Sequence, residues 1–488
     1  DMFINWMILL AAIALLIVLA SKASKVMSAD EESGFLVAGR SLGPFVIAGT
    51  VVATGFSGWG FMGSPGAAYQ YGTIELLGNF FFAPAMVVAV LFFAVYLRNR
   101  AMKMGSSTIP EFIVNLHCND RNSISARTLR IITSLGMVIF LTVFLTAQIR
   151  ALGMLGSSWL GISPLLASAL LLVIITIYTM AGGLLAVAWT DTFMVIGMAT
   201  AAIYIVVQVF TDIPLADMMT QLNAIDPNLV NPETSNPYGN AKASVFLVFV
   251  YALIFSTALP YMSVRFLAMK SNISIAKTGF YTAILGCVLS LVPIVGLYVR
   301  IKNPGLINPD EAMPWYLANA IPSVVGSVIT LFILFAMKST ANSILHTLST
   351  AASHDLRLAI FDNKPRTEAE LLKLNRLWVA IVAAIAFIST FFLPEAMLSY
   401  LGIFSSGTLM AALSGVLLVT IFYKGSTMAA IASIIVGAVC SSYLLTSGIV
   451  GWVEGPLIGS AASAITYVVV SVLVPNRVKA ISEEAVSA

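Results

Sequence analysis

The sequence predicts an all-α integral membrane protein. Of its 488 residues, 59% are hydrophobic and only 10% are charged, and the mean hydropathy is +0.96. Runs of about 20 apolar residues, the length that a helix needs to cross a bilayer, recur from end to end. Thirteen transmembrane helices are predicted, at 2–21, 41–71, 74–97, 129–155, 163–182, 186–210, 243–263, 276–299, 321–353, 377–394, 397–423, 426–446 and 452–475.

Basic residues are divided unevenly between the loops, which supports this count of spans. With the N-terminus outside, 20 of the 25 Lys and Arg residues fall in inner loops or the C-terminal tail, Arg265 among them. Lys338 falls inside the ninth span, and the outer side keeps Arg150, Lys242, Arg300 and Lys302. Such an excess marks the cytoplasmic side. We therefore expect a multi-pass protein of the plasma (inner) membrane with a cytoplasmic C-terminus, and the net charge of +3 reflects orientation, with no nucleic acid as partner.

The chain is expected to form one membrane domain over 1–488. The first span, within 1–21, reads as a retained helix because Lys22 and Lys25 follow its apolar core, whereas a signal peptide has its basic residues before the core. Residues 211–242 are predicted to be an irregular outer loop, and 476–488 a short charged tail. Three scattered cysteines give neither a disulfide framework nor a metal-binding spacing.

The second span is interrupted near its middle. The segment Ser57-Gly-Trp-Gly-Phe-Met-Gly-Ser-Pro-Gly66 places four glycines and a proline within ten residues. Pro65 has no N–H to donate, and glycine lowers the cost of leaving helical geometry. Carbonyls freed at membrane depth persist only where they line a cavity or bind something, as in the midplane sites of secondary transporters. The segment therefore favours a broken helix at a binding site over a merely kinked structural helix.

The ninth span carries an unusual number of polar side chains. At 100° per residue, one face holds Ala336, Ser339, Thr340, Ser343 and Thr347. Lys338, Asn342 and His346 form the adjoining flank, so the helix is expected to be buried in protein. Adjacent hydroxyls suit a dehydrated monovalent cation, although each could simply bond back to the carbonyl at i−4. His346 is expected to be a packing residue.

Two ionisable residues lie at bilayer depth, where charge is costly and marks a functional candidate. They are Lys338 and, in the sixth span, Asp191. The sequence contains no apparent Ser-His-Asp, Cys-His or clustered-carboxylate constellation and no phosphate-binding loop, so neither an enzyme nor an ATP-driven pump is predicted.

Several motifs, in order along nearly the whole chain, resemble the sodium–solute symporter family, which includes proline, pantothenate, sugar, sialic acid and monocarboxylate carriers. The most specific is Tyr178-Thr-Met-Ala-Gly-Gly-Leu-Leu-Ala-Val187 followed by Thr190-Asp191. The others are Phe35-Leu-Val-Ala-Gly-Arg-Ser-Leu42, Ser57-Gly-Trp59 with Met62-Gly63 and Pro65-Gly66, Gly63-Ser-Pro-Gly-Ala-Ala-Tyr-Gln-Tyr-Gly72, and Ser349-Thr-Ala-Ala-Ser-His-Asp355.

The resemblance implies a five-plus-five inverted repeat with a leucine-transporter-type core. The first repeat would be spans 2–6 (41–210) and the second spans 7–11 (243–423). The first span and the last two (426–475) would lie outside the core. Broken helices are expected in spans 2 and 7, the latter around Ser256-Thr-Ala-Leu-Pro260.

The resemblance also implies a sodium ion as the coupled ion. Its site transfers onto the carbonyls of Ala53, Phe56 and Ala336 and the hydroxyls of Ser339 and Thr340. Gly55 stands where proline carriers have an aspartate, but other branches of the family also lack that aspartate, so it counts only weakly against sodium. Ala252 and Ser256 stand where proline carriers have aromatic residues for the solute, which argues against proline.

Some family members bind a second sodium, and their ligands align with Asp191, Ser339, Asn342 and Ser343. Here Asn342 replaces a hydroxyl, and Lys338 replaces an apolar residue beside the paired hydroxyls. We hypothesise that the Lys338 ammonium reaches Asp191 or Asn342 and occupies the second cation position, which would leave one sodium per cycle. The open alternatives are a Lys338 that cycles protons or one that pairs with an anionic solute.

The predicted function is sodium-coupled symport of a small organic solute, such as an organic acid, an amino acid or a related metabolite, by alternating access. The alternatives are a sodium-independent or proton-coupled carrier that uses Lys338 or Asp191 as its switch and, third, a membrane sensor with a transporter fold. The protein is expected to act as a monomer in the bilayer. The candidate solute contacts are Ser57, Gly58, Trp59, Met62, Gln148 and Ser256, although Gln148 could equally form a helix–helix hydrogen bond.

Overall fold

The protein is helical throughout the described chain. The computed structural model describes residues 2–26, 32–240, 242–361 and 364–476, and within these ranges it contains helices and no strand. The first eleven α-helices are α1 (Met2–Val26), α2 (Glu32–Val37), α3 (Pro44–Gly55), α4 (Ser64–Tyr71), α5 (Ile74–Phe80), α6 (Phe82–Val88), α7 (Ala94–Met104), α8 (Ile109–His117), α9 (Ile124–Leu160), α10 (Pro164–Asp212) and α11 (Leu215–Ile225).

The remaining α-helices are α12 (Ser244–Ala258), α13 (Pro260–Leu267), α14 (Ile275–Leu289), α15 (Ile294–Lys302), α16 (Ala312–Asn319), α17 (Ser323–Thr350), α18 (Glu368–Ser389), α19 (Leu398–Gly402), α20 (Thr408–Leu417), α21 (Thr427–Ser447) and α22 (Glu454–Leu473). π-Helical segments are Trp59–Gly63, Ala89–Phe93, Ala351–Phe361 and Ile403–Gly407, and short 3₁₀ helices are Ala38–Arg40, Pro227–Val230, Pro309–Glu311 and Val419–Ile421.

Ten helices in the described ranges are long and apolar enough to cross a membrane, and two bent pairs raise the number to twelve. The first pair, Pro44–Gly55 with Trp59–Tyr71, is bent by 46°, and the second, Phe246–Ala258 with Pro260–Leu267, by 52°. Both predicted broken spans are therefore confirmed.

The break in the first pair lies earlier than the glycines and the proline suggest. α3 ends at Gly55, and the chain resumes helical geometry at Trp59. Pro65 lies just after the π-helical segment Trp59–Gly63, and the wider π-helical turn accommodates a residue without an N–H.

The helix α10 changes direction inside its 49 residues. Gly183 has φ 54° and ψ −144°, which is not helical. A Cβ at this position would lie 2.7 Å from the carbonyl oxygen of Phe35, so both the positive φ and the close approach require glycine. The break divides α10 between the predicted fifth and sixth spans.

The outer segment 211–242 is more regular than predicted. It contains α11 and a 3₁₀ helix, Pro227–Val230, so the prediction of an irregular loop was wrong there. Met218 and Leu222, four residues apart, are buried and hold α11 against the protein. Of the predicted tail 476–488, only Asn476 lies within the described residues.

The helix α17 lies at the centre of the molecule. Every residue from Ile333 to Thr350 is buried, which confirms that the polar ninth span is enclosed by protein. It packs against α3, α9, α10 and α18. A helix that is polar on one face and fully enclosed can only be stable if those polar groups find partners, so its contacts define the candidate site.

Candidate cation and solute site

The predicted sodium ligands lie where the end of α3 meets the middle of α17. The Ser339 hydroxyl donates to the Ala53 carbonyl at 3.1 Å and to the Ala336 carbonyl at 2.8 Å. The Thr340 hydroxyl donates to the Thr54 carbonyl at 3.2 Å. Contacts between the two helices at Ser339 and Thr340 show that these hydroxyls do more than bond back within α17.

The local geometry explains why carbonyl oxygens are free at this point. α3 stops at Gly55, so the carbonyls of its last turn lack the helical N–H groups that would normally follow. Phe56, the remaining predicted ligand, is the C-cap residue and begins the break. The partial negative charge of a helix C-terminus adds to the field of these oxygens. The result is a set of neutral oxygen donors turned toward two hydroxyls.

Asp191 is part of a buried network, but its cationic partner is not the one predicted. The Asp191 carboxylate accepts a hydrogen bond from Thr50 at 2.9 Å and lies 3.9 Å from the Arg265 guanidinium. Arg265 also donates to Thr50 at 3.1 Å, to the Tyr261 carbonyl at 2.7 Å and to the Ser343 hydroxyl. Both charged side chains are completely buried.

Arg265 was predicted to lie in an inner loop, and that prediction was wrong. It belongs to α13, the second half of the broken seventh span, and it bonds to side chains of α3 and α17. The sequence places it after the break, five residues beyond Pro260, so it is carried back into the protein interior rather than out to solvent. Because Arg265 was counted as a loop residue, it was not considered as a counterion for Asp191.

Lys338 is near enough to Asp191 for their charges to interact, but the described residues show no direct ion pair between them. Its ammonium sits over the Tyr178 ring, 4.6 Å from the ring centroid. It lines an apolar cavity formed with residues of α1, α9 and α10, including Leu9, Leu152 and Leu171. Within the described chain, the Asn342 amide oxygen accepts from Thr179 at 3.0 Å. The hypothesis that Lys338 reaches Asp191 or Asn342 therefore does not describe this conformation, in which its partner is an aromatic face.

The predicted solute contacts divide into two groups. Trp59 lies among aromatic rings, with Phe82, Phe144 and Phe255 at centroid distances of 6.3, 6.4 and 6.0 Å. It also lines a cavity formed with Ser64, Glu75, Asn79, Phe82, Tyr251 and outer residues such as Tyr238 and Val453.

The other predicted solute contacts lie outside the lining of that cavity. Ser57 accepts a hydrogen bond from the Trp59 N–H at 3.2 Å, Ser256 bonds back to the Ala252 carbonyl at 2.8 Å, and Met62 is fully buried. A Cβ on Gly58 would lie 2.4 Å from the Gln148 amide oxygen, so the glycine allows α9 to approach the broken helix. Gln148 is thus adjacent to the predicted segment, and its amide oxygen has no hydrogen-bond partner among the described residues.

Glu75 and Tyr251 were missed by the sequence analysis. Both line the Trp59 cavity, both are buried, and the Glu75 Oε2 atom and the Tyr251 hydroxyl have no partner in the described part of the chain. Glu75 was available as a signal, since it is an acidic residue in the otherwise apolar run 74–97. It lies in the first turn of that span and was not considered as a site residue.

The cavity is covered at one end, which the predicted orientation places outside, by aromatic rings. Trp452 contacts Tyr71, Tyr238 and Tyr400, with centroid distances of 5.6, 6.1 and 5.6 Å. The Val453 N–H donates to the Tyr238 carbonyl at 2.9 Å, which fixes the outer segment over the cavity. We call Tyr71, Tyr238, Tyr400 and Trp452 the outer cover.

The opposite end of the molecule is joined by charged groups. Arg130 lies 2.9 Å from Asp355 and 3.4 Å from Glu111, and His354 hydrogen-bonds to Glu111. Burial raises the pKa of Glu111, but the hydrogen bond and charge of His354 and the charge of Arg130 outweigh it, so the net shift is downward. We call Glu111, Arg130, His354 and Asp355 the inner cluster. His346, about two turns before His354, bonds to the Phe35 carbonyl at 2.7 Å, as a packing residue would.

Comparison with known proteins identifies the family and the fold of this chain. The family model of the Sodium:solute symporter family matches residues 35–437. The high-affinity proline transporter PutP of Bacillus subtilis (strain 168) is 28% identical over 92% of this chain and 94% of its own length. A sodium/pantothenate symporter of Haemophilus influenzae is 24% identical over 84% of this chain and 83% of its own length.

Two solved structures share the fold. A Na+-coupled sialic acid symporter in a substrate-bound outward-open state superposes with a TM-score of 0.76 at 18% identity, covering 97% of this chain and 98% of that chain. Mhp1, a nucleobase-cation-symport-1 family transporter in a closed conformation, gives a TM-score of 0.51 at 14% identity, covering 88% of this chain and 92% of that chain.

Proposed function

The chain belongs to the sodium:solute symporter family, and from that premise we propose that sodium binds between α3 and α17 and drives the uptake of a small organic solute held near Trp59. The protein is a multi-pass membrane transporter that couples solute movement to sodium. The observation that carries the site is the pair of hydrogen bonds from Ser339 to Ala53 and from Thr340 to Thr54, which join the broken helix to α17.

Sodium would replace these hydrogen bonds. The ion would take the carbonyls of Ala53, Phe56 and Ala336 together with the two hydroxyls, and it would hold α3 and α17 in one relative position. An ion that binds this arrangement more tightly than others shifts the population toward it, and the solute affinity rises with it. The coupling is reciprocal, so the solute must also raise the affinity for sodium.

Single substitutions at the two hydroxyls test the sodium site. We expect Ser339→Ala and Thr340→Ala each to raise the sodium concentration for half-maximal uptake in proteoliposomes by at least about tenfold, because each removes one charge-assisted oxygen contact. Thr330→Ala is the matched control, since Thr330 lies on the same helix and donates only to the Gly326 carbonyl at 2.6 Å. Equal sodium dependence in all three variants would refute the site.

The Arg265 guanidinium fills the second cation position in this proposal. It contacts Ser343 and Thr50 and lies beside Asp191, which are oxygens that a second sodium would otherwise use. A buried carboxylate needs a cation, and a fixed arginine supplies it without the release of an ion in each cycle. One sodium per cycle follows, as in the Lys338 hypothesis, but with a different residue as the cause.

Sodium titration of two variants decides between the residues. In Arg265→Gln the Asp191 carboxylate loses its ion pair, so we expect the Hill coefficient for sodium to rise from one toward two and Tm to rise more steeply with sodium chloride. Asp191→Asn in the same background should restore the single-sodium behaviour. A rise in Lys338→Met, with no change in Arg265→Gln, would return the second position to Lys338.

The solute lies in the cavity beside Trp59 in this proposal. The other predicted contacts, Ser57, Gly58, Met62, Gln148 and Ser256, lie behind the cavity wall and would reach the solute only when the cavity widens. The relatives named for proline and pantothenate set the broad class of small organic metabolites. The seventh-span aromatics of the proline carriers align with Ala252 and Ser256, but Tyr251 lines the cavity and Phe255 packs on Trp59 from the neighbouring positions. An aromatic-walled site is thus retained with altered geometry.

The same proposal includes thirteen spans, an inverted repeat and a functional monomer. α10, at 49 residues, would be about 74 Å long if straight. That length is more than twice a bilayer core, so its break at Gly183 yields two spans. The bent pairs α3–α4 and α12–α13 occupy corresponding places in two halves of five spans each. With the N-terminus outside, the inner cluster faces the cytoplasm and the outer cover faces the exterior.

Proton coupling is the second candidate function, because Lys338 lines an apolar cavity with an aromatic face beside its charge and no direct ion pair among the described residues. Solute uptake driven by a pH gradient in sodium-free vesicles, and lost in Lys338→Met, would favour it. Sodium-driven uptake without a pH gradient supports the sodium-coupled mechanism, and solute binding without any flux would indicate a sensor.

A further inference from the structure

The Trp59 cavity contains a buried acidic group for which the described residues supply no cation. Glu75 is 4% exposed, and its Oε2 atom has no hydrogen-bond partner there. The Ser64 hydroxyl lines the same cavity. None of the residues that line the cavity is a lysine, an arginine or a histidine. A carboxylate in such a place is expensive unless something that enters the cavity compensates it.

The walls of the cavity indicate what kind of cation would suit it. Trp59, Phe82, Tyr238 and Tyr251 present aromatic surface. The side-chain oxygens come from Glu75, Ser64, Asn79 and the hydroxyls of the two tyrosines, and Glu75 is the one carboxylate among the lining residues. The Asn79 side chain is held by its amide N–H, which donates to the Ser290 carbonyl at 2.7 Å, and its amide oxygen remains available as an acceptor. Sodium prefers a shell of several oxygens, whereas an organic ammonium is stabilised by aromatic faces together with one carboxylate.

We propose that Glu75 binds the ammonium group of the transported solute, so that the solutes of this protein are amines, most simply amino acids. This rests on the proposed function and names the substrate class of the same site. Glu75 acts here as a specificity-determining residue: the carboxylate pairs with the ammonium, and Trp59 and Tyr251 cover the carbon skeleton. A neutral acid of the same shape would leave Glu75 unpaired and would be rejected for that reason.

The free space in the cavity indicates that the cavity must open before the solute can bind. About 30 Å³ is open, which is room for water but too little for an amino acid. The cavity therefore has to widen for the solute to enter, and the outer cover lies over its outer end. A contracted cavity also brings the aromatic walls close to Glu75, which strengthens an ion pair once a cation is enclosed.

The experiment compares amines with their deaminated partners on the purified full-length chain. Thermal shifts are measured with L-proline against cyclopentanecarboxylate, L-alanine against propionate, L-leucine against 4-methylpentanoate and taurine against ethanesulfonate, with the remaining amino acids as single probes. Each solute is titrated in sodium chloride and in potassium chloride, because a salt such as choline chloride would itself supply an organic ammonium.

We expect at least one amine to raise Tm in sodium chloride while its deaminated partner does not. Glu75→Gln should weaken the binding of that amine by about thirtyfold or more, as when one charge of a buried pair is removed. Glu75→Asp, which keeps the charge on a shorter side chain, should retain part of the affinity. Glu311→Gln, which removes an exposed carboxylate on the outer side, should change nothing.

The unliganded Tm separates solute binding from a structural role. Glu75→Gln removes an unpaired buried charge, so without solute it should be at least as stable as the wild type, and sodium alone should stabilise both equally. A large fall in Tm without solute would make Glu75 a structural residue and overturn the proposal.

Three further outcomes would also overturn it: deaminated partners that bind as well as the amines, an amine whose affinity in Glu75→Gln stays within threefold of the wild type, or no amine in the panel that binds. The proposed function fails separately, if every solute that binds does so equally in sodium and in potassium.

Discussion

Individual residues in this protein are defined by what surrounds them rather than by their type. Asp191 and Asp310 are both buried acids, yet one has an arginine beside it and the other accepts a single backbone hydrogen bond, from the Leu398 N–H at 3.1 Å. The second Asp310 oxygen has no partner in the described chain, and a Cβ on Gly66 would lie 2.4 Å from it. Asp310 thus ties the outer half of the broken helix to the start of α19 at some cost.

Asp310 gives a pH dependence whose sign can be worked out. Burial raises its pKa from 3.8 to about 6, and the hydrogen bond from Leu398 offsets only part of that. Between these two values the folded protein holds a proton that the unfolded chain has lost, so this group favours folding more as pH falls from 7.5 to 5. The effect is at most about 1.4 kcal/mol per pH unit within that window.

Asp310→Asn removes this titration. We expect the variant to be more stable than the wild type at pH 7.5 and the difference in Tm to shrink at pH 5. Glu311→Gln, which alters an exposed neighbour in the same turn, serves as the control and should show a difference that does not vary with pH. A constant difference for Asp310→Asn would contradict the buried, partly unpaired state of this carboxylate.

At the scale of elements, the inner cluster connects α8, α9 and the π-helical segment Ala351–Phe361. Asp355 is fully buried, and Arg130 and the Thr108 hydroxyl, at 2.8 Å, are its partners. The Thr108 oxygen also accepts from the Glu111 N–H at 3.2 Å and so caps α8. Loss of one member therefore loosens both the helix start and the ion pair.

We expect Arg130→Gln to lower the free energy of unfolding by about 3 kcal/mol, because it leaves a buried carboxylate without its cation. Asp355→Asn in the Arg130→Gln background should recover part of this loss, since the uncompensated charge is then gone. Chemical denaturation of the purified protein measures both changes. Additive losses in the double variant would show that the two residues do not act as a pair.

The sequence was informative about elements and less so about their ends. Apolar runs located the spans, and Pro260 placed the break in the seventh span within a residue. In the second span the glycines and Pro65 pointed too far along the chain, because glycine in a helix can serve close packing, as Gly66 does against Asp310. Composition alone does not separate these two uses of glycine.

The partners of charged residues were the least predictable part of the site. The paired hydroxyls Ser339 and Thr340 could be found because they are adjacent on one helical face. The cationic neighbour of Asp191 could not be predicted, because Arg265 reaches Asp191 only after the bend of 52° between α12 and α13 redirects the chain. The helical angle placed Lys338 on an adjoining flank of α17, and in the structure its ammonium lies over the Tyr178 ring.

At the scale of the whole molecule, the candidate sites lie between two closures of different chemistry. Aromatic rings form the outer cover and charged side chains form the inner cluster. Offset or edge-to-face aromatic pairs contribute about 0.5–1.5 kcal/mol each, so the three contacts of Trp452 amount to a modest barrier that a solute and an ion can shift. Such a barrier suits alternating access because it opens without the separation of buried charges.

Trp452→Ala should open this route. In a background with Cys118, Cys287 and Cys440 replaced by serine, a cysteine introduced by Val248→Cys reports access to the cavity, since Val248 lines it. We expect a membrane-impermeant thiol reagent added outside to react with this cysteine about tenfold faster in Trp452→Ala, the factor that one or two lost aromatic pairs would give.

Trp315→Ala is the control for that measurement. Trp315 is a partly buried tryptophan that takes no part in the outer cover. Its removal should leave the labelling rate unchanged. A labelling rate that is equally slow in all variants would place the outer barrier elsewhere.

In the proposed mechanism, the buried guanidinium of Arg265 also limits how far this protein could concentrate its solute. A membrane potential of 100 mV supplies about 2.3 kcal/mol per charge, and a tenfold sodium gradient about 1.4 kcal/mol more. One sodium per turnover would then sustain an accumulation of a net-neutral solute of about 500-fold. Two ions would square that ratio, to about 250,000-fold. A fixed arginine in place of the second ion lowers the maximum accumulation ratio, but more solute is then imported for each sodium ion that enters.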